Sequence, residues 1–173
     1  MTRPLQAARL AASLALACAA FPVPASAQQA TARFHDAQGN PSGTVSLAAS
    51  TGGVLFVIAV RGLPAGQWVA LHVHENGTCD PANAHESAGA HFNPSQTEHG
   101  LLTETGPHAG DMPNVWVDNS GTARAEVFNP YVTLAKGQNS VAGRSLIFHA
   151  NADDHISQPS GEAGDRLACA TIE

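Results

Sequence analysis

Residues 67–75 read QWVALHVHE, and the alternation inside that stretch decides the class of fold. On an extended chain successive side chains point to opposite faces, so Val69, Leu71 and Val73 turn toward a core while His72 and His74 leave together on the other side. Their backbones then stand about 7 Å apart, a gap that two imidazoles close around one ion at metal–nitrogen distances of about 2 Å. A lone His-x-His on a strand is weak evidence, because most such pairs belong to an ordinary solvated face. Its weight depends on its company.

Outward from this stretch the chain keeps the same character. Gly (16) and Pro (11) punctuate short runs rich in Val, Ile, Thr and aromatics, and no helical period follows Ala27. The expected strands are Thr31–Asp36, Gly43–Ala48, Val54–Val60, Gln67–Glu75, Val115–Asp118, Thr122–Phe128, Ser145–Ala150 and Arg166–Ile172. Eight short strands predict an all-β sandwich or flattened barrel. Turn signals at Gln38-Gly39-Asn40-Pro41, Gly62-Leu63-Pro64 and Asn119-Ser120-Gly121 separate the strands, and the last joins its flanks as a hairpin. No strand is legible between Asn76 and Asn114. A loop that long in a compact domain is functional, or else marks a wrong assignment.

Six of the nine histidines fall between His72 and His108. His91, His99, His108 and Asp111 offer three imidazoles and a carboxylate, a donor set suited to tetrahedral zinc if the loop curls to bring them together. Metal binding would supply ordering energy that a polar loop with little core lacks. His149 ends an apolar strand, where a histidine is more often a satisfied core residue; here His72 and His74 still need a third partner. Asp153 and Asp154 are candidates to hold ligand histidines by their free ring nitrogens, or are solvated loop acids.

The start of the chain reads as a secretory signal over residues 1–27: Arg3 and Arg9 precede the apolar run Leu10–Ala20, and Ala25-Ser26-Ala27 offers a cleavage site. The run is too short to span a membrane, and Pro22 and Pro24 break it, so stable membrane insertion is not expected. Cys18 as a lipid-attached N-terminus is the disfavoured variant. Residues 28–173 then form one domain, and loss of Arg3 and Arg9 moves the formal charge from −6 to −8, which argues against a nucleic-acid partner. With Cys18 in the signal, Cys79 and Cys169 remain in an exported chain and read as a disulfide, two buried free thiols being the other reading.

Taken together, His72-Val73-His74-Glu75-Asn76-Gly77, Gly89-Ala90-His91-Phe92-Asn93-Pro94, His99-Gly100, His108-Ala109-Gly110-Asp111-Met112-Pro113-Asn114, Gly143-Arg144-Ser145 through His149, and Gly164-Asp165-Arg166-Leu167-Ala168-Cys169 closely resemble the copper/zinc superoxide dismutases, in order and over nearly all of residues 28–173. The resemblance implies an eight-stranded Greek-key β-barrel, an immunoglobulin-like sandwich with long metal-binding and active-site loops. It implies a copper ion at His72, His74, His91 and His149, and a zinc ion at His91, His99, His108 and Asp111, with His91 shared. It further implies that Asp153 links His72 to His99, that Arg166 is the active-site arginine beside a catalytic His91, and that Cys79 pairs with Cys169. The implied activity is disproportionation of superoxide, as antioxidant defence in the periplasm or after secretion. The alternative is a non-catalytic zinc-stabilised copper-binding or copper-carrier domain, although no copper position is missing.

The insertion Asp80–Ser87 resembles the prokaryotic form of the family. Ser160 stands where threonine is common at the channel wall, and Glu162 and Asp165 add negative charge ahead of Arg166. His35, His85 and His155 have no place in the ligand sets and are expected to be solvated, with a position near the site as the other reading for His85 and His155. The sequon Asn76-Gly77-Thr78 lies too close to His74 to expect a glycan. A homodimer is possible, with Trp68 and Trp116 either core or interface.

Overall fold

The computed structural model describes residues 28–173; the signal read at residues 1–27, and Cys18 with it, lies outside them. Nine strands follow in chain order: β1 (Gln29–Asp36), β2 (Pro41–Ser50), β3 (Gly53–Arg61), β4 (Trp68–Val69), β5 (Leu71–His74), β6 (Val115–Trp116), β7 (Thr122–Asn129), β8 (Ser145–His149) and β9 (Arg166–Thr171). Seven form one antiparallel sheet in the order β5-β8-β9-β1-β2-β3-β7, and β4 pairs with β6 as a separate ribbon. A bridge between Val117 and Ala123 links the β7 edge to that ribbon, and the ribbon runs on into β5, so the sheet curls back on itself. Among the described residues no helix is long and apolar enough to cross a membrane.

The all-β expectation therefore holds, with one correction. The single strand expected over Gln67–Glu75 is broken at Ala70, which makes nine strands rather than eight. At Ala70 the N–H donates to Asn151 O (2.7 Å) and the carbonyl accepts from the His149 N–H (3.0 Å). The chain thereby leaves β6 and joins β8. Alternation alone carries no signal for a change of pairing partner.

The interior is built from the inward halves of the strands: Phe34, Leu47, Phe56, Leu71, Leu146, Phe148 and Ile172 are all fully buried. Phe34 and Phe148 meet at 5.5 Å between ring centroids. Each such side chain contributes roughly 1.5–3 kcal/mol when taken out of water. Val69, Leu71 and Val73 join this core as the alternation requires. His72 and His74, however, do not face solvent, being 0% and 1% exposed.

What covers them is the segment Asn76–Asn114. It holds only two short 3-10 turns, Pro81–Asn83 and Glu86–Ala88, but it lies along the free edge of β5. Glu75 N–H donates to Ala90 O (2.9 Å), Phe92 N–H to Val73 O (2.8 Å), and Val73 N–H to Gly110 O (2.9 Å). A disulfide between Cys79 and Cys169 ties this loop to β9 across 90 residues. Closing a loop of that length in the unfolded chain restricts it by about 4–5 kcal/mol in the chain-entropy account.

Candidate metal centre

Two buried clusters result. In the first, Nδ1 of His91, His99 and His108 lie 3.1, 3.0 and 3.4 Å from the same oxygen, Oδ1 of Asp111. Four donors at about 2 Å from one ion, set tetrahedrally, stand roughly 3.3 Å from one another. The observed separations match that edge. The other carboxylate oxygen, Oδ2, accepts the N–H groups of Gly100 and His108, both at 2.9 Å, which fixes Oδ1 toward the imidazoles. These bonds from ring and backbone N–H groups hold the Asp111 carboxyl far below the usual carboxylate range against the opposing effect of burial.

The second cluster joins His72 and His74 of β5, His149 of β8, and His91 from the loop, the last common to both. Here the tautomers are legible from partners. His74 Nδ1 donates to Gly89 O (2.9 Å) and His149 Nδ1 to Gly164 O (3.2 Å), so both present Nε2 lone pairs inward, and these face each other at 3.3 Å. His72 donates from Nε2 to Asp153 Oδ2 (2.8 Å), leaving a buried Nδ1 without a partner. His91 turns Nδ1 to Asp111 and leaves a buried Nε2 without a partner. Four buried lone pairs aimed at one another are satisfied by a cation, not by one another.

Burial is the main cause that holds these imidazoles neutral, lowering His74 and His149 well below the ordinary value and His91 to about 3. Neutral imidazole is the ligand form. His99 behaves oppositely: burial opposes its charge, but hydrogen bonds to Asp111 and Asp153 raise it to about 9. Asp153 connects the clusters, with Oδ2 on His72 and Oδ1 on His99 Nε2 (3.0 Å). The donor set fits both ions the sequence pattern implied, since imidazole suits copper and zinc alike and the Asp111 group has tetrahedral spacing.

Comparison with known proteins gives the same answer. Residues 41–172 match the family described as copper/zinc superoxide dismutase. The chain is 42% identical to superoxide dismutase [Cu-Zn] 2 of Aquifex aeolicus over 94% of its own length and 95% of that protein. It is 41% identical to superoxide dismutase [Cu-Zn] of Caulobacter vibrioides, covering 83% of this chain and 85% of that one. Among solved structures, a SOD-like protein from Bacillus subtilis superposes with a TM-score of 0.79 at 30% identity, covering 83% and 97% of the two chains. The chain belongs to the copper/zinc superoxide dismutase family. As a superoxide dismutase it disproportionates superoxide, with copper and zinc as its cofactors.

The superoxide dismutase keeps a cavity of about 470 Å³ beside the four-histidine cluster, lined among others by His74, His91, His149, Ser160, Glu86 and Arg166. Arg166, at the start of β9, donates from Nη1 to His85 O (2.9 Å) and from Nη2 to Gly89 O (2.8 Å). Gly89 O thus serves both Arg166 and His74. Of the two acids read ahead of Arg166, Asp165 lines this cavity and Glu162 does not.

The expectation that His35, His85 and His155 are solvated needs correction. His85 is not solvated: its ring is fully buried and neither nitrogen has a hydrogen-bond partner. Its carbonyl, which receives Arg166, is fixed by the 3-10 turns on either side of it. His155 is half-buried, with Nδ1 3.4 Å from Asp153 Oδ2 and its backbone N–H donating to Oδ1 (2.6 Å). His35, on β1, is likewise half-buried. Asp154, the other acid expected to hold a histidine, instead caps the turn to Ser157.

The sequence reading missed Asn114, which pairs with the Asp153 backbone in both directions at 2.8 Å, and Gln158, which brackets His99 through its backbone N–H and carbonyl. An amide side chain has no spacing signature, and Asn114 figured in the sequence only as the end of a motif, with no role of its own.

Proposed function

We propose that copper is held by His72, His74, His91 and His149, and zinc by His91, His99, His108 and Asp111, with His91 serving each ion through a different ring nitrogen. The observation that carries this reading is that the two nitrogens of one buried ring face the two donor sets: Nδ1 of His91 at Asp111 and Nε2 unpartnered among the other imidazoles. Bound copper would supply a one-electron couple, while zinc is redox-inert. Two superoxide anions and two protons give one oxygen and one hydrogen peroxide.

Arg166 receives each anion through its guanidinium at the cavity beside the copper ligands. His91 would hold and return a proton at Nε2, while Asp111, in the same donor set as Nδ1, would keep the ring from turning. Asp153 orients His72 and His99 together, so the two ligand sets move as one body. The decisive experiment measures copper and zinc content and superoxide decay for the wild-type chain, His149→Ala and Arg166→Ala. The reading requires His149→Ala to lose copper and activity, and Arg166→Ala to keep both metals but lose rate. Labile metal with no turnover in the wild type would instead make the domain a copper carrier.

Export rests on the signal read over residues 1–27, supported by a 35% identical relative from Brugia pahangi named extracellular superoxide dismutase. N-terminal sequencing of the exported chain tests cleavage after Ala27. Association into a homodimer through the β4–β6 ribbon accounts for Trp68 and Trp116, which are 53% and 46% exposed and meet edge-to-face at 5.4 Å. Sedimentation of Trp68→Glu against wild type tests it.

A further inference from the structure

We propose that the outer face of the sheet carries a binding site for a phosphate-class dianion, framed by Arg33, Arg61 and Arg124. Strand register puts these residues together. Arg33 of β1 pairs with Thr44 of β2, Thr44 with Ala59 of β3, and Ala59 with Arg124 of β7, so one row across four strands has an arginine at each end and small residues between. Three strand spacings separate the end residues by about 14 Å. Arg61 lies two residues along β3 from Ala59, on the same face by strand periodicity, and pairs with Thr122.

The open groove between them, about 530 Å³, is lined by all three arginines, Thr44, Thr122 and Ser42, and by no carboxylate. None of the three guanidinium groups has a carboxylate within 4 Å among the described residues. Asp118, in the turn between β6 and β7, and Glu126, two residues along β7 from Arg124, both lie outside the lining. A further observation is independent of charge: Ser42 is 6% exposed, lines this cavity, and its Oγ has no hydrogen-bond partner.

The composition selects the ligand. The described residues carry all 14 carboxylates of the sequence against six Lys and Arg, and half of those cations stand on this one face. Three like charges repel one another unless a counter-charge joins them, and the nearest carboxylates, Asp118 and Glu126 beside Arg124, form no ion pair with any of the three. Guanidinium forks pair bidentately with phosphate oxygens, and hydroxyls complete such a site. A carboxylate monoanion would satisfy one fork; a phosphate or pyrophosphate satisfies two or more. The cavity shares no residue with the one at Arg166, so the inference stands apart from the dismutase reading.

The test titrates inorganic phosphate and pyrophosphate into ¹⁵N-labelled, reduced holoprotein, holding ionic strength constant with chloride. The expected result is saturable amide shifts confined to residues 42–44, 59–61 and 122–124. Pyrophosphate affinity should fall at least tenfold in the doubly substituted Arg33→Gln, Arg124→Gln protein and stay unchanged in Lys136→Gln. Unchanged superoxide decay in each variant confirms that the fold is intact. Shifts spread evenly over all cationic side chains, or full affinity in the double variant, would overturn the proposal. So would a protein that ignores both free anions yet binds phosphatidylglycerol vesicles through the same arginines, which would make the face a membrane contact.

Discussion

The Arg166 guanidinium stands 3.5 Å from the Glu86 carboxylate, inside the cavity that leads to the four-histidine cluster. The carboxylate occupies a position that an incoming anion would seek. Glu86 is itself 68% exposed, so the pair is worth little to stability. Its effect is on the approach of substrate. Glu86→Gln is expected to raise kcat/KM for superoxide a few-fold at low ionic strength, with the gain fading as salt screens charges beyond about 10 Å. Stopped-flow decay at two ionic strengths measures this, and an identical rate at low salt would remove Glu86 from the account.

The Asp153 side chain is fully buried and bonds His72 with one carboxylate oxygen and His99 with the other. Asp153→Asn keeps the shape but replaces one acceptor by a donor, leaving a ring N–H unsatisfied. Loss of such an outer partner commonly costs metal affinity 10–100-fold. Competition with a zinc chelator should show a loss in that range with the β-sheet circular dichroism unchanged. Wild-type zinc retention would mean that the carboxylate is not what orients His99.

Gly161 is required by close approach. It sits at φ +67°, and a β-carbon there would run into the Asp153 carboxylate and the His99 ring. Gly161→Ala therefore pushes the linking carboxylate aside and costs roughly 1–3 kcal/mol. Thermal unfolding and zinc content should fall together. A fall in melting temperature at full zinc content would separate backbone strain from the metal centre.

For the metal-free protein the shifted histidines predict a stability maximum near pH 6.5. His91 is lowered to about 3, chiefly by burial and then by the charge of His72, so between pH 6.5 and 3 the unfolded chain takes up a proton that the folded chain refuses. Stability falls as the pH drops through that window. His99, raised to about 9 by Asp111 and Asp153, does the reverse: its contribution is complete below pH 6.5 and disappears as the pH rises through 9. Calorimetry of the chelator-treated chain from pH 4 to 10 should trace the maximum. A flat profile would contradict both shifts.

Much of this was legible beforehand because it depends on periodicity. Val69, Leu71 and Val73 alternate with His72 and His74, and the structure buries both sets as two faces of one short stretch. The residues that the structure gathers into two clusters were also legible, since His and Asp in a long polar loop have few other reasons to recur. Three features were not. The break at Ala70 depends on Asn151 and His149, which are distant in sequence. Burial of His85 depends on two consecutive left-handed residues, Ala84 and His85, that fold the loop back beneath Arg166. The row of arginines depends on the register of four strands, and register is a property of pairs that a single strand does not reveal.

The loop that lies on β5 has one more consequence. An uncovered strand edge is a template for pairing with another chain, and β5 has β8 on one side only. Residues 88–92 and Gly110 occupy its other side through backbone hydrogen bonds, and the same segment carries His91, His99, His108 and Asp111. Stripping the ions would leave that cover held by its backbone bonds to β5, by buried Phe92 and Met112, and by the Cys79–Cys169 link. Metal supply is therefore expected to affect resistance to aggregation as well as catalysis, because ions held in this segment would help keep an adhesive edge hidden.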